Sequence, residues 1–306
     1  MDSDPPAALI NIGQSRLVLI VSGSILLLGL AGIGTNGLCL FHSIQKPYNH
    51  TAFGMFLAAK ALCNIIGFVI FLIWALPQTL SPNLYAHFPT YIAYHVGIIC
   101  QGTDISGTFF HLLISINRTL RIIPIGRLPK QYAHYVHRTG VLVVFVLLIG
   151  SSYLLNGIGD QFPSPLHSRQ VPLGRLPNVN RTNYIAYYFF FANVLTAIFD
   201  LLTFYLLNKA SANVNQKYDK YLFYMLFSQH ILYLLDASFI AYVQTDIIIL
   251  DYALKFGMWQ VCYAYDGMTI LVMSKAYREK VCGCFGFFNR SAQIGNQPAM
   301  YAVTTQ

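Results

Sequence analysis

Seven stretches of roughly twenty predominantly apolar residues follow one another along the chain, each long enough to cross the ~30 Å hydrocarbon core of a bilayer as a helix. They run from Leu17 to Phe41, Phe53 to Pro77, Tyr91 to Asn117, Thr139 to Gly159, Tyr184 to Leu207, Tyr221 to Thr245 and Tyr252 to Ser274. A backbone in lipid must satisfy its own polar groups, which leaves helices as the structure for such runs. The charge content agrees: 10% of residues are charged, against about 25% in an ordinary soluble domain. The expected fold is an all-α membrane protein, a seven-transmembrane helix bundle. Residues 1–16 form its N-terminal segment, 17–275 its transmembrane domain and 276–306 its C-terminal tail.

The first apolar run is longer than the core of a signal peptide, and Asp2 and Asp4 precede it in place of basic residues, so it reads as a retained helix. The third is the weakest, because His95, Gln101, Asp104 and His111 interrupt it. No repeat relates the first three spans to the last three, which speaks against a transporter built from duplicated halves.

Lys and Arg set the orientation. With the N-terminus outside, thirteen of them fall in the inner segments, and only Arg16, Arg169, Arg175 and Arg181 in the outer ones. The chain is therefore expected N-out and C-in. Its formal charge of +8 then faces the anionic inner leaflet, and no nucleic-acid partner is needed to explain it. Four N-x-[ST] sequons occur, at Asn49, Asn117, Asn180 and Asn289. Only Asn180 lies outside in this orientation, which makes it the expected glycosylation site.

Of the six cysteines, Cys39, Cys63, Cys100 and Cys262 read as small core residues. Cys282 and Cys284 follow the last span, where S-palmitoylation would pin the chain to the inner leaflet; unmodified thiols are the equal alternative. No metal or other cofactor is expected. His134 and His137 have no carboxylate nearby. Lys255 lies in the first turn of its span, too early for a retinal Schiff base.

An ionised side chain at a helix centre costs roughly 2.5 to 3.5 kcal/mol to insert, so each one demands a partner or a wet cavity. The spans carry Lys60, Asp104, Asp200, Asp236 and Asp266. In span three, Cys100, Gln101, Asp104, Gly107, Thr108, His111, Ser115 and Arg118 make one polar or small stripe at helical spacing. Ile98, Ile105, Phe109, Leu112 and Ile116 are left to meet lipid or apolar neighbours. Asn193, Thr196, Asp200 and Thr203 repeat the pattern in span five. Lys60, Gln101, Asp104 and Asn193 are the expected ligand-binding residues, and Asn36, Asn64, Asp200, Asp236 and Asp266 an intramembrane polar network. Lys60 can pair with Asp104, Asp236 or Asp266, or stand beside the cavity as a binding cation. The bland reading is that these groups only tie helices together.

The chain resembles the nematode serpentine chemoreceptors of class X. The residues that carry the resemblance are Gly32-Ile-Gly-Thr-Asn36, Asn49-His-Thr-Ala-Phe-Gly54, Asn64, Trp74-Ala-Leu-Pro77, Ile116-Asn117-Arg118, Asp200 and Asp266-Gly267, in that order and spacing. The resemblance implies a rhodopsin-like G-protein-coupled receptor architecture and a plasma-membrane protein, with sensory cilia as its place. It further implies a small external ligand and a heterotrimeric G protein as partners, and no enzymatic activity. Arg118 then stands where better-known receptors carry the arginine of a D/E-R-Y motif, with Asn117 in place of the acid and Thr119 in place of the aromatic. Asn117 and Arg118 are the expected switch. The N-P-x-x-Y and C-W-x-P motifs of those receptors are missing. The alternative reading is a ligand-gated cation channel or proton-coupled transporter that uses the intramembrane carboxylates.

Overall fold

The structure is a computed structural model, and it describes residues 12–45, 51–80, 90–122, 139–146, 150, 179–209, 215–242 and 248–273. Seven helices follow in chain order: α1 (Ile12–Ser43), α2 (Ala52–Ile70, continued by a π turn over Phe71–Ala75 and an α turn over Leu76–Leu80), α3 (Thr90–Ile122), α4 (described over 139–146), α5 (Val179–Lys209), α6 (Asn215–Tyr242) and α7 (Ile248–Met273). Every described element is helical. The shortest complete one, α7 with 26 residues, is ~39 Å long at ~1.5 Å per residue, enough to cross a bilayer. α1, α2, α3 and α5 begin and end a few residues beyond their apolar runs, and α6 and α7 begin before theirs, because hydropathy marks only the part in hydrocarbon; the ends of the fourth, sixth and seventh runs lie outside the described residues.

Around the bundle α1 packs on α2, α2 on α3, α3 on α5, α5 on α6, α6 on α7, and α7 closes the ring on α1. α7 also touches α2. By length and composition alone, three helical segments among the described residues qualify as membrane spans: Arg16–Ser43, Ala52–Ala75 and Tyr188–Lys209. α3, α6 and α7 are diluted by polar residues, many of which, such as Asp104, His111, Gln229, Asp236, Gln260 and Asp266, are turned inward. The exposure pattern is inverted relative to a soluble protein. Leu27 is 70% and Phe191 65% exposed, whereas Lys60 is 2% exposed.

Two local features shape α2. Thr51, in extended conformation, accepts the Gly54 N–H with its Oγ1 at 3.0 Å, so the Asn49 to Gly54 motif supplies the N-cap. Near the other end, Pro77 has no N–H, and its ring would press on the carbonyl of the preceding turn. The helix widens just before it, with Leu76 N–H donating to Phe71 O, and the π turn keeps Phe71, Trp74 and Ala75 all buried.

Two apolar clusters fill the interior. One contains Val21, Ile25, Phe68, Phe71, Trp74, Cys100, Trp259 and Tyr263; the other contains Cys39, Phe56, Leu57, Cys63, Phe110, Ile114, Met225 and Ile270. Val141, Val144 and Phe145 of α4 pack on the second. All four cysteines among these helices are free and buried, as expected of small core residues. α3 is the most enclosed helix: Ile98, Ile105 and Leu112, which the stripe pattern left to lipid or apolar neighbours, are buried against neighbours.

Candidate functional site

Along α1, α2 and α7 the polar residues fall between the members of the two apolar clusters, so charge is gathered into a belt inside the bundle. Its centre is Asp266 of α7. Oδ1 pairs with Lys60 Nζ of α2 at 3.1 Å, with both side chains 2% exposed. Oδ2 accepts from Asn64 Nδ2 at 3.1 Å and from Tyr233 OH of α6 at 2.6 Å. Lys60 also donates to His111 Nδ1 of α3 at 2.7 Å and lies 5.1 Å from the centre of the Tyr233 ring. Asn64 Nδ2 reaches Asn36 Oδ1 of α1 at 3.0 Å, and Asn36 Nδ2 donates to the carbonyls of Gly32 and Tyr263 at 2.9 and 3.0 Å. One carboxylate thus joins α1, α2, α3, α6 and α7, directly or through one neighbour.

The helices come close enough for this because small residues stand at the crossings. A methyl group on Gly267 would meet Asn36 N at 2.8 Å and Thr35 C at 2.9 Å, so α7 lies backbone to backbone on α1. Gly32 gives room to the Phe68 ring and Gly67 to the Tyr263 ring. The glycines of the Gly32 to Asn36 and Asp266-Gly267 motifs therefore have a common structural reason.

Two further groups flank the belt. Towards the N-terminal half of α3, Asp104 Oδ1 accepts from Tyr263 OH at 2.9 Å, and Trp259 approaches the same carboxyl. Asp236 of α6 is buried, and its Oδ1 has no hydrogen-bond partner. Towards the C-terminal end of α3, Thr119 and Thr203 of α5 share a hydrogen bond of 2.8 Å, and Thr119 Oγ1 also donates to Phe199 O. Ser115 and Arg118 face Asp200 there; Arg118 is buried, at 7% exposed. Hydroxyls that meet no other helix, such as Ser106 and Thr196, fold back onto their own helix carbonyls four residues earlier.

Of the residues singled out in the sequence, Asn36, Lys60, Asn64 and Asp266 come together. The partner of Lys60 is Asp266, which settles the three pairings the sequence left open. Asp104 is one step away through Tyr263, which packs edge-on to Phe68. Asp200 lies apart with Arg118, and Asp236 and Asn193 are buried with unpartnered polar atoms. Gln101 is half-buried. Asn180 falls in the first turn of α5, while Cys282 and Cys284 lie outside the described residues. Tyr233, Tyr263, Gln229 and His230 were not anticipated. Gln229 donates to Thr269 at 2.5 Å, and the His230 ring stacks on His111 at 6.3 Å. Gln229, Tyr233 and Asp236 recur at intervals of four and three, a face of α6 legible in principle. With 21 tyrosines in the chain, however, composition gave no reason to prefer these two.

A bundle of seven helices, six of them closing a ring, with buried charge inside and large apolar side chains such as Leu27 and Phe191 exposed outside, is the architecture of a seven-transmembrane receptor. The family model of the serpentine type 7TM GPCR chemoreceptor Srx matches residues 26–274, and the chain belongs to that family. No curated protein matches it. The protein is a multi-pass membrane receptor of a chemoreceptor class, and that class is not an enzymatic one.

Proposed function

We propose that this chain is a G-protein-coupled chemosensory receptor. It lies N-out in the plasma membrane, binds a small external molecule between the helices, and passes the event to a heterotrimeric G protein at the C-terminal end of α3. Family membership supports the chemosensory role. The observation that carries the mechanism is the sharing of Asp266 between α2 and α6, through Lys60 and Tyr233. A two-state receptor needs an element with two arrangements that a ligand favours unequally. The phenol of Tyr233 is such an element, because α6 leaves α7 only if that bond breaks. Lys60 and Asn64 then keep Asp266 satisfied, so the broken state is not left with an unpaired buried charge.

Asp104, Gln101 and Asn193 lie on the half of the bundle that an N-out chain turns outward, and they form the ligand side. Lys60 takes its part through Asp266. At the inner end, Asn117 and Arg118 are the coupling residues: an always-charged guanidinium held against Asp200 in one state can be released to a protein partner in the other. Asn180 carries a glycan, and Cys282 and Cys284 anchor the tail. The channel reading is weakened by the same network, since Asp104 and Asp266 are engaged by Tyr263, Lys60 and Tyr233.

In membranes co-reconstituted with a G protein, Arg118→Ala is expected to change basal nucleotide exchange on the order of tenfold, with the protein still reaching the cell surface. Unchanged exchange at normal surface expression would remove Arg118 from the mechanism.

A further inference from the structure

Two helices that face each other across the bundle are joined by imidazoles. α3 packs on α2 and α5, and α6 on α5 and α7. Across the interval between them the ring of His230 on α6 stacks on that of His111 on α3, at 6.3 Å and 17° from parallel, and Tyr233 meets His111 at 5.8 Å. Both histidines are 1% exposed. The ammonium of Lys60 only donates, so His111 Nδ1, 2.7 Å from it, accepts, and the ring carries its hydrogen on Nε2. That N–H has no partner, and neither has either nitrogen of His230. Buried polar groups are paired as a rule, and three open nitrogens in two stacked rings break it.

A third helix brings an open donor to the same height. Thr119 of α3 meets Phe199 and Thr203 of α5. α3 and α5 run in the same direction, with one span between them. Eight residues back from Thr119 stands His111, and eight back from the midpoint of Phe199 and Thr203 stands Asn193. Asn193 is buried, and its Nδ2 is without a partner. Thr108, one turn before His111 on the same face of α3, keeps its hydroxyl open too.

The balance of these groups selects the ligand. His111 Nε2, Asn193 Nδ2 and one nitrogen of His230 give hydrogen bonds, whereas the other His230 nitrogen takes one. Donors in the majority call for an oxygen with free lone pairs. The surroundings favour a neutral carrier for it. An organic cation would meet Lys60, one hydrogen bond behind His111. An anion would leave water for an interior that, among the described residues, buries Asp104, Asp200, Asp236 and Asp266 against Lys60 and Arg118.

We propose that His111, His230 and Asn193 receive the carbonyl oxygen of a small neutral molecule, a ketone or ester with an apolar body. A carbonyl oxygen has two lone pairs, so it accepts from two of these helices at once. Held there, it bears on α6 one turn from the Tyr233 bond to Asp266. This rests on the reading that a small molecule enters the bundle, and it names the chemical class of that molecule.

The test is thermal unfolding of the purified full chain with acetophenone at millimolar concentration. Benzoate, benzylamine and isopropenylbenzene, which replace the ketone by an anion, a cation and a carbon–carbon double bond, are run alongside. Acetophenone should raise the midpoint, and the other three should not. His230→Phe keeps a ring against His111 without its nitrogens, and should weaken the response to acetophenone on the order of tenfold. It should itself unfold no earlier than wild type, since it removes two buried polar atoms that have no partner. Asn193→Leu should weaken the response likewise, and carries the test if His230→Phe does not fold. The proposal is overturned if acetophenone does not stabilise the protein, or if the variant responds as wild type does. Equal stabilisation by isopropenylbenzene overturns it too, yet leaves the small-ligand reading standing. The receptor reading is decided separately by basal exchange in Arg118→Ala, which needs no ketone.

Discussion

The contact of α1 and α2 with α7 and that of α5 with α6 differ in how far they rely on polar bonds, since the first adds them to ring contacts of its own, Phe68 on Tyr263 and Phe71 on Trp259. The first rests on directional bonds at close range: the Asp266 network, Asn36 on the Tyr263 carbonyl, and glycines that let backbones touch. The second is ring against ring, with Phe204 stacked on Phe223 at 4.7 Å and tilted against Tyr224 at 6.4 Å. A hydrogen-bonded carboxylate has one good arrangement, whereas apolar rings keep most of their contact when one helix slides along the other. In lipid, where helices gain nothing by hiding apolar surface from one another, this difference separates a fixed frame from a movable side. Tyr233 and Gln229 are among the bonds by which the movable side is held to the frame, together with Tyr265 OH on Ser228 and Cys262 Sγ on the Leu232 carbonyl.

The largest effect is expected at the frame. Lys60→Met leaves Asp266 buried with its cation gone and should cost about 3–5 kcal/mol in thermal unfolding, while the double change Lys60→Met with Asp266→Leu should recover most of it. A double variant no better than the single one would mean that the pair is not the unit holding these helices.

Next comes Gly267→Ala, whose new methyl meets the backbone of Thr35 and Asn36. It should destabilise by about 1–3 kcal/mol through overpacking, read by the same unfolding assay. Unchanged stability would show that α1 and α7 can part without harm, and the contrast with the α5 side would fail.

The smallest effect belongs to the movable side. Phe223→Leu should cost about 1 kcal/mol and should alter basal nucleotide exchange more than it alters stability. If it instead costs as much as Lys60→Met, the ring contact is as rigid as the ion pair, and the proposed division between frame and movable side is wrong.

The number of helices was legible because the hydrocarbon thickness imposes a length that a single sequence displays directly. The inward face of α3 was legible for the same reason, since Asp104, His111, Ser115 and Arg118 recur on one side. Pairing was not. Lys60 had three carboxylates within plausible reach along neighbouring spans, and only the approach of α7 to α2 selects Asp266. The phenols of Tyr233 and Tyr263 were hidden because tyrosine is also an ordinary lipid-facing residue, as the 61% exposed Tyr205 illustrates. A polar stripe tells which side of a helix turns inward, but not what it meets there.

The wide turn over Phe71–Ala75 has a meaning for descent as well as for packing. A π turn carries one residue more than an α turn over nearly the same rise, so α2 holds a surplus position between Asn64 and Pro77. A relative with an unbroken α-helix here would be one residue shorter, and its alignment to this chain would need a gap inside a membrane span, where gaps are usually forbidden. Closed up without that gap, every residue beyond the turn would be compared with a neighbour pointing about 100° away.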